Sequence, residues 1–592
     1  YSQYHSSEWG SITSLLTPTG VQVTEDGIVY ASTSGGLLEF NQDTEEFNFI
    51  KMEQGLEYLD LASIAIDSQG RLWLGGARPL GCLQVYDPAI GLKYYEEWLD
   101  SFGNNRIVSI NKIEIGEDIA FAVYQGATSG DLGILRFELD ENGLPEYQDF
   151  YSDFSTDFTI TEIRDLDVFA DSVFITTERG IFGGNYAFGD LKDIDDWAVI
   201  FDRDSARQFI PADRHLIIAN QTLFRKDGST WAEYEIGLTG KSIQAEKEDN
   251  IVKILTEEWY HELTDGDTLR FEVPLDDESD TDFTGFTDRG DGSVIFGMKN
   301  HGILILNKET GSYKIYTPNT PFTNKYNALT ITSDGHLAAT SQLGTLYFDG
   351  IDYKNYIPDK YYKYYSGNSE TFHSVSLDYS PGEHFPISII EKDNGNLIYC
   401  NSGVFPEWET GAVIELDHRN GIIIKYDNTE ERIDGWDGIY KPGVNSNYML
   451  VNQIEKDKLG NIWVVNPYCE RNGHLLAIQS SGDKNTWFHV NIPDSSSFRP
   501  QAISFDQSSR AWVGFAYELL ENRIYSNGGL KVFKYTDLAF EEEDSTWISI
   551  ENPDVLPGNS STASIWSIVF DHIGSLWVLS DKGVQGYEIS GN

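Results

Sequence analysis

Four aspartates crowd into seven residues at Asp276, Asp277, Asp280 and Asp282. Closely spaced carboxylate oxygens are hard ligands of the kind Ca2+ prefers. The run matches no EF-hand loop, so a solvated acidic loop competes with a calcium site. A weaker cluster, Asp140-Glu141-Asn142-Gly143, has the same two readings. The other candidate is the stretch from Tyr353 to Pro386, where Tyr361, Tyr362, Tyr364 and Tyr365 alternate with Lys360 and Lys363. Positive charge beside rigid aromatic rings suits an anionic glycan. Tyrosine is also enriched at protein interfaces, and a connecting segment packed by its own tyrosines would need neither ligand.

Signals for catalysis are poor. The chain has no Gly-x-Ser-x-Gly elbow, no phosphate-binding Gly-Lys-Ser/Thr loop, no Cys-x-x-Cys and no His-Glu-x-x-His. His301, His336 and His474 sit at turns, where a structural role is the default, because a metal site needs ligands that converge. Pairs such as Asp195-Asp196 or the run Glu541-Glu542-Glu543 are unremarkable in so acidic a chain. Glycoside hydrolysis needs two carboxyls at a set separation, which sequence does not reveal. The expectation is a protein without enzyme activity and, Ca2+ aside, without a cofactor.

The net charge of −52 arises from 94 acidic and 42 basic residues. It disfavours a nucleic-acid surface, which must be basic, and a polybasic membrane contact. No apolar run is long enough to span a bilayer. The start at Tyr1 rather than Met fits a mature form whose signal has been removed, or a trimmed chain; the expectation is an exported protein. Three cysteines cannot build a disulfide framework. One bridge between Cys400 and Cys469 is compatible with their spacing, as are two buried thiols, and Cys82 is left over.

These residues must be positioned by something, and a recurring phrase says what. An apolar strand ends in Asp, turns at Gly, and continues through an aromatic doublet to a second Gly and another strand. It is clearest from Ile565 to Tyr587, from Ala62 to Tyr86 and from Val451 to Ile478. Asp and Gly make the turn, the Trp fills space between stacked sheets, and a polar fourth strand follows. Four strands per ~45 residues is the unit of a β-propeller blade. About twelve units are recognisable. The copies from Phe209 to Tyr234 and from Ile243 to Phe271 lack the central Trp. Twelve exceeds any ordinary single ring. The expectation is therefore an all-β chain of two tandem propellers, 1–322 and 323–592, joined near Thr317 to Asn327, with the second ring incomplete.

The segment Ser63-Ile64-Ala65-Ile66-Asp67-Ser68-Gln69-Gly70-Arg71-Leu72-Trp73-Leu74-Gly75 resembles the two-component-regulator propeller repeat, and Ser567 to Trp577 resembles it again. The opening is more specific. Trp9, Val21 to Tyr30, Ala31-Ser32-Thr33-Ser34-Gly35-Gly36-Leu37 and Phe40-Asn41 resemble the N-terminal propeller of the PorZ family, surface components of type IX secretion. That resemblance implies two propellers followed by a C-terminal β-domain, and no catalytic residues. It implies partnership with the PorU sortase and the outer-membrane proteins PorV and PorQ, and binding of anionic lipopolysaccharide. The same repeats form glycan-sensing ectodomains of hybrid two-component regulators, which is the alternative. A lyase or hydrolase on a propeller scaffold is the third reading.

Overall fold

The structure is a computed structural model. It describes residues 10–97, 106–356, 386–404, 412–426, 449–467, 476–535, 546–549 and 562–589. Within these spans it omits 129, 212–214, 220–221, 235–237, 239, 249–250, 258, 265–266, 273–281, 483–486, 491–498 and 521–522. The chain divides into two compact units, Tyr1–Asn324 and Lys325–Asn592.

The first unit holds seven four-stranded antiparallel sheets, each made from one unbroken stretch of chain. Blade 1 runs from the strand Pro18–Val23 to Glu46–Ile50, blade 2 from Leu61–Ile66 to Gly91–Glu97, and blade 3 from Ile107–Ile115 to Pro145–Tyr151. Blade 4 spans Ile163–Phe169 to Trp197–Phe201, blade 5 Ala206–Ile210 to Thr230–Tyr234, blade 6 Ser242–Glu248 to Asp267–Glu272, and blade 7 Phe283–Asp288 to Tyr313–Tyr316. Blades 5 and 6 are complete although they lack the central Trp. In blade 5, Phe209, Ile217 and Phe224 fill the corresponding space.

First strands pack side by side from blade 1 through blade 7, and blade 7 returns to blade 1. Among the described residues this closes a β-propeller without strand exchange. Leu38 and Phe40 of blade 1 share a core with Ile295, Ile303 and Ile305 of blade 7. Backbone and side-chain bonds latch the seam: Gly302 N donates to Leu16 O (2.8 Å), and Ser14 N donates to Asn324 Oδ1 (2.6 Å).

Among the described residues the second unit holds five blades. Blade 8 runs from Ala328–Ile331 to Tyr353–Tyr356 and blade 9 from Pro386–Glu391 to Ile422–Tyr426, with Met449–Leu450 as an added strand. Blade 10 runs from Gln453–Lys456 to Trp487–Val490, and blade 11 from Arg499–Phe505 to Thr546–Ser549 with the hairpin Glu518–Leu520 and Arg523–Ser526 inserted. Blade 12 has three strands among the described residues, from Ile565–Phe570 to Gly583–Tyr587. Blades 8 to 12 pack in series, but blade 12 does not pack on blade 8 as blade 7 packs on blade 1. Among the described residues this series is open. The expected all-β class and four-stranded repeat are what the chain forms.

One register detail stitches neighbouring blades. Most first strands carry a β-bulge near their start, at Ala62, Arg164, Ile243 and Ile387 among others. A bulge re-aims the side chain that follows it, and here that residue reaches the backbone of the next blade. Ser63 Oγ donates to Ile110 O (2.9 Å), and Asp165 Oδ2 accepts from Phe209 N (3.4 Å). Gln244 uses both ends of its amide on Phe286: Oε1 accepts from the N–H (2.9 Å) and Nε2 donates to the carbonyl (3.1 Å). Gln453 makes the same pair with Ile503. Gln244→Ala leaves a buried backbone donor and acceptor unmatched, so it should cost ~1–3 kcal/mol, read as a lower urea midpoint. Gln244→Glu, which loses only the donor, should fall between. Equal midpoints for all three proteins would refute the stitch.

Candidate functional site

Most residues singled out from the sequence lie outside the described residues. This holds for Tyr361, Tyr362, Tyr364, Tyr365, Lys360 and Lys363, for Asp276, Asp277 and Asp280, and for His474 and Cys469. Asp282 is described. It is exposed and ion-paired to Lys299 at 2.9 Å, so a cation already faces it. Asp140 is a turn residue: its Oδ1 accepts from Asn142 N and Leu144 N, both at 2.8 Å. The carbonyls of Asn142 and Gly143 take the guanidinium of Arg71 (2.8 and 2.7 Å). That cluster joins blade 2 to blade 3 rather than offering ligands. Among the described residues no three His, Cys, Asp or Glu side chains converge as metal ligands. His336 Nδ1 bonds Tyr347 Oη at 2.6 Å, a structural contact. Cys82 and Cys400 are buried free thiols; burial pushes Cys82 up to about 12 and raises Cys400 as well.

The repeated Asp does more than turn the chain. In blades 2, 10, 11 and 12 its Oδ1 accepts the N–H groups two and four residues on, as Asp67 does from Gln69 and Arg71. Its Oδ2 accepts the indole N–H six residues on: Trp73 to Asp67 (3.1 Å), Trp463 to Asp457 (3.0 Å), Trp512 to Asp506 (2.9 Å) and Trp577 to Asp571 (3.1 Å). Gly70, Gly460 and Gly574 complete these turns with φ of 76°, 82° and 87°, where a side chain is strained. The sequence reading assigned Asp to the turn and Trp to packing. The constant six-residue spacing was the signal that one bonds the other.

Two hollows in the first unit carry polar chemistry. The first, about 790 Å3, opens between blades 3 and 4 and is lined by the turns at Gly116–Ile119 and Val168–Asp171. Its wall includes Arg136, whose guanidinium carbon sits 5.9 Å from the centroid of the Tyr186 ring. Arg136 Nη2 lies 3.4 Å from Glu138 Oε1, and its Nε is buried without a partner. Glu117, Asp118 and Asp171 flank it, and Phe169 stands 39% exposed on the wall. An exposed ring beside a guanidinium and carboxylates can stack the apolar face of a sugar and bond its hydroxyls.

The second hollow, about 590 Å3, is axial and is bounded by residues from the first strands of all seven blades. Lys112 pairs with Asp165 across blades 3 and 4. Burial raises the carboxyl of Asp167 to about 8 against the opposing pull of Lys112, and raises Glu114 and Glu246 too, Glu246 to about 7.

A closed propeller and a second series of similar blades, with polar hollows in the first unit and no convergent metal ligands among the described residues, define a class of scaffolds rather than a single activity. No family model matches the chain, and no curated protein does. Among solved structures it is similar to PorZ, an essential surface component of the type-IX secretion system of Porphyromonas gingivalis. The TM-score is 0.69 at 16% identity, over 98% of this chain and 73% of that one. It is also similar to an ancestral GH74 enzyme (TM-score 0.57, 10% identity, 98% of this chain and 85% of that one). A further match is the extracellular domain of a B. thetaiotaomicron protein described as a hybrid two-component system, with a TM-score of 0.35, 13% identity, and coverage of 99% and 72%. Identities this low establish the fold alone. No helix among the described residues is long and apolar enough to cross a membrane.

Proposed function

We propose that the chain is an exported, non-enzymatic surface scaffold of the PorZ kind, which holds a sortase partner and a lipopolysaccharide close together. The observation that carries this reading is the likeness to PorZ over 98% of the chain, joined to the repeat phrase of blades 1 and 2. Rigid rings present loops, and the loops do the binding. An anionic glycan would be repelled by the carboxylates around Arg136, so its contact belongs to the basic segment of Lys360 and Lys363. The cleft of Arg136 and Tyr186 suits a neutral sugar instead.

Affinity capture of the tagged protein from its native cells, with mass spectrometry of bound proteins and glycans, tests this. Co-recovery of a sortase-like protease with PorV-like or PorQ-like outer-membrane proteins is expected. Recovery of oligosaccharide alone would favour the glycan-sensing ectodomain, which the two-component-regulator phrase at Ser63–Gly75 supports. Turnover of a polysaccharide panel that is lost on changing one carboxylate pair would overturn both in favour of an enzyme.

A further inference from the structure

Unsatisfied chemistry collects in the axial hollow of the first unit. Most charged groups on its wall are matched. Lys112 holds Asp165. Arg164 donates to Glu162 and to the carbonyls of Asp204 and Ala206. Glu246 lies 3.7 Å from Lys253. Three buried oxygens on the wall are left without a partner: Asp167 Oδ2, Gln208 Oε1 and Thr284 Oγ1, on blades 4, 5 and 7. Gln208 is only 6% exposed. Its position after the bulge is that of Gln244 one blade later, which commits its amide to the neighbouring backbone. The open carbonyl of Gln208 is thus a local departure from the stitch.

The carbonyl can only accept, an ionised carboxylate can only accept, and the hydroxyl can do either. A buried acceptor with no donor costs ~1–3 kcal/mol, so this wall selects a solute rich in donors. Burial disfavours the anions of Glu114 and Asp167, and an ammonium seated beside Asp167 would offset that penalty and draw off its proton, which a neutral donor would not do. We propose that the axial hollow is a binding site for a small protonated amine, whose ammonium hydrogens are taken by Asp167 and Gln208. The hollow is large enough for a short diamine.

Calorimetric titration of the intact chain with putrescine, beside 1,4-butanediol as its uncharged counterpart, tests the site. Saturable putrescine binding at least about tenfold tighter than the diol is expected, a difference of ~1.4 kcal/mol. Asp167→Asn and Gln208→Leu should each weaken it by about tenfold or more, while Asp282→Asn outside the hollow leaves it unchanged. No saturable heat at about 10 mM putrescine, or equal affinity for the diol, overturns the proposal. So does binding that survives both substitutions, which is the signature of diffuse attraction to a chain of net charge −52. Should Asp167→Asn fail to fold, by circular dichroism, the Gln208→Leu titration decides by the same criterion.

Discussion

Asp457→Ala should destabilise the second unit by ~3–5 kcal/mol, because it leaves several buried donors unmatched at ~1–3 kcal/mol each. The side chain is 4% exposed and accepts five hydrogen bonds. Four come from its own turn and strand: the N–H groups of Leu459 and Asn461 (both 2.9 Å), Asn461 Nδ2 (2.8 Å) and Trp463 Nε1 (3.0 Å). The fifth is the Tyr535 hydroxyl of blade 11 at 2.9 Å. Alanine therefore loosens the turn, orphans the indole of a fully buried Trp and cuts a link between blades. Asp457→Asn keeps the shape but turns an amide toward donors, so it should recover little. Asp571→Ala removes the same turn from blade 12, where Trp577 is half exposed, and should cost clearly less. Urea unfolding followed by near-UV circular dichroism orders the three. A change under about 1 kcal/mol for Asp457→Ala, the net worth of an ordinary hydrogen bond, would show that the carboxylate is not the keystone of the turn.

The second large effect is expected at the junction of blades 6 and 7. Lys253 is 2% exposed and sits 2.9 Å from Asp288, with Glu248 also in contact. Asp288 shares its Oδ2 with Lys308 at 2.8 Å, and Lys308 reaches Glu262 at 2.9 Å. Lys253→Met keeps the length of the side chain and removes the charge, leaving buried carboxylates with one cation. A cost of ~3–5 kcal/mol at neutral pH follows. Its pH dependence carries a sign. Burial alone would raise Asp288, but hydrogen bonds from Lys308, Lys253 and Gly290 hold its carboxyl below the usual range. A depressed carboxyl stabilises the fold fully above its unfolded value of about 4 and loses that contribution as pH falls through its folded value. The gap between wild type and variant should thus be widest near neutrality and shrink as the medium is acidified below about pH 4. A gap that stays constant down to pH 3 would mean that the methionine disturbs packing and not charge.

How much of this was legible in the sequence depends on whether the information is local. The turn Asp, the turn Gly and the following Trp lie within seven residues, so the repeat and the four-stranded sheet could be read directly. Blades 5 and 6 were legible only through their apolar strands, since the Trp had been replaced by scattered aromatics such as Phe209 and Phe224. Closure of the first ring was not legible, because it joins Leu38 and Phe40 to Ile303 and Ile305, some 265 residues away, through apolar side chains no different from their neighbours. Nor was the axial hollow: it depends on bulges that re-aim single residues such as Gln208, and a bulge has no strong local code. The acidic and tyrosine-rich runs stood out by composition. Composition does not say what a residue faces, as the pairing of Asp282 with Lys299 shows.

The seam between blades 1 and 7 has a further consequence. Each blade of the first unit is a single run of chain, and among the described residues no ladder is shared across the seam. The order of blades is therefore cyclic and has no privileged start. A chain cut in the connection between Tyr151 and Ile163, with the segments around Ser14 and Asn324 spliced where they already touch, would keep every strand pairing. The ring is a round table: the seat at which translation begins leaves no mark on who sits beside whom.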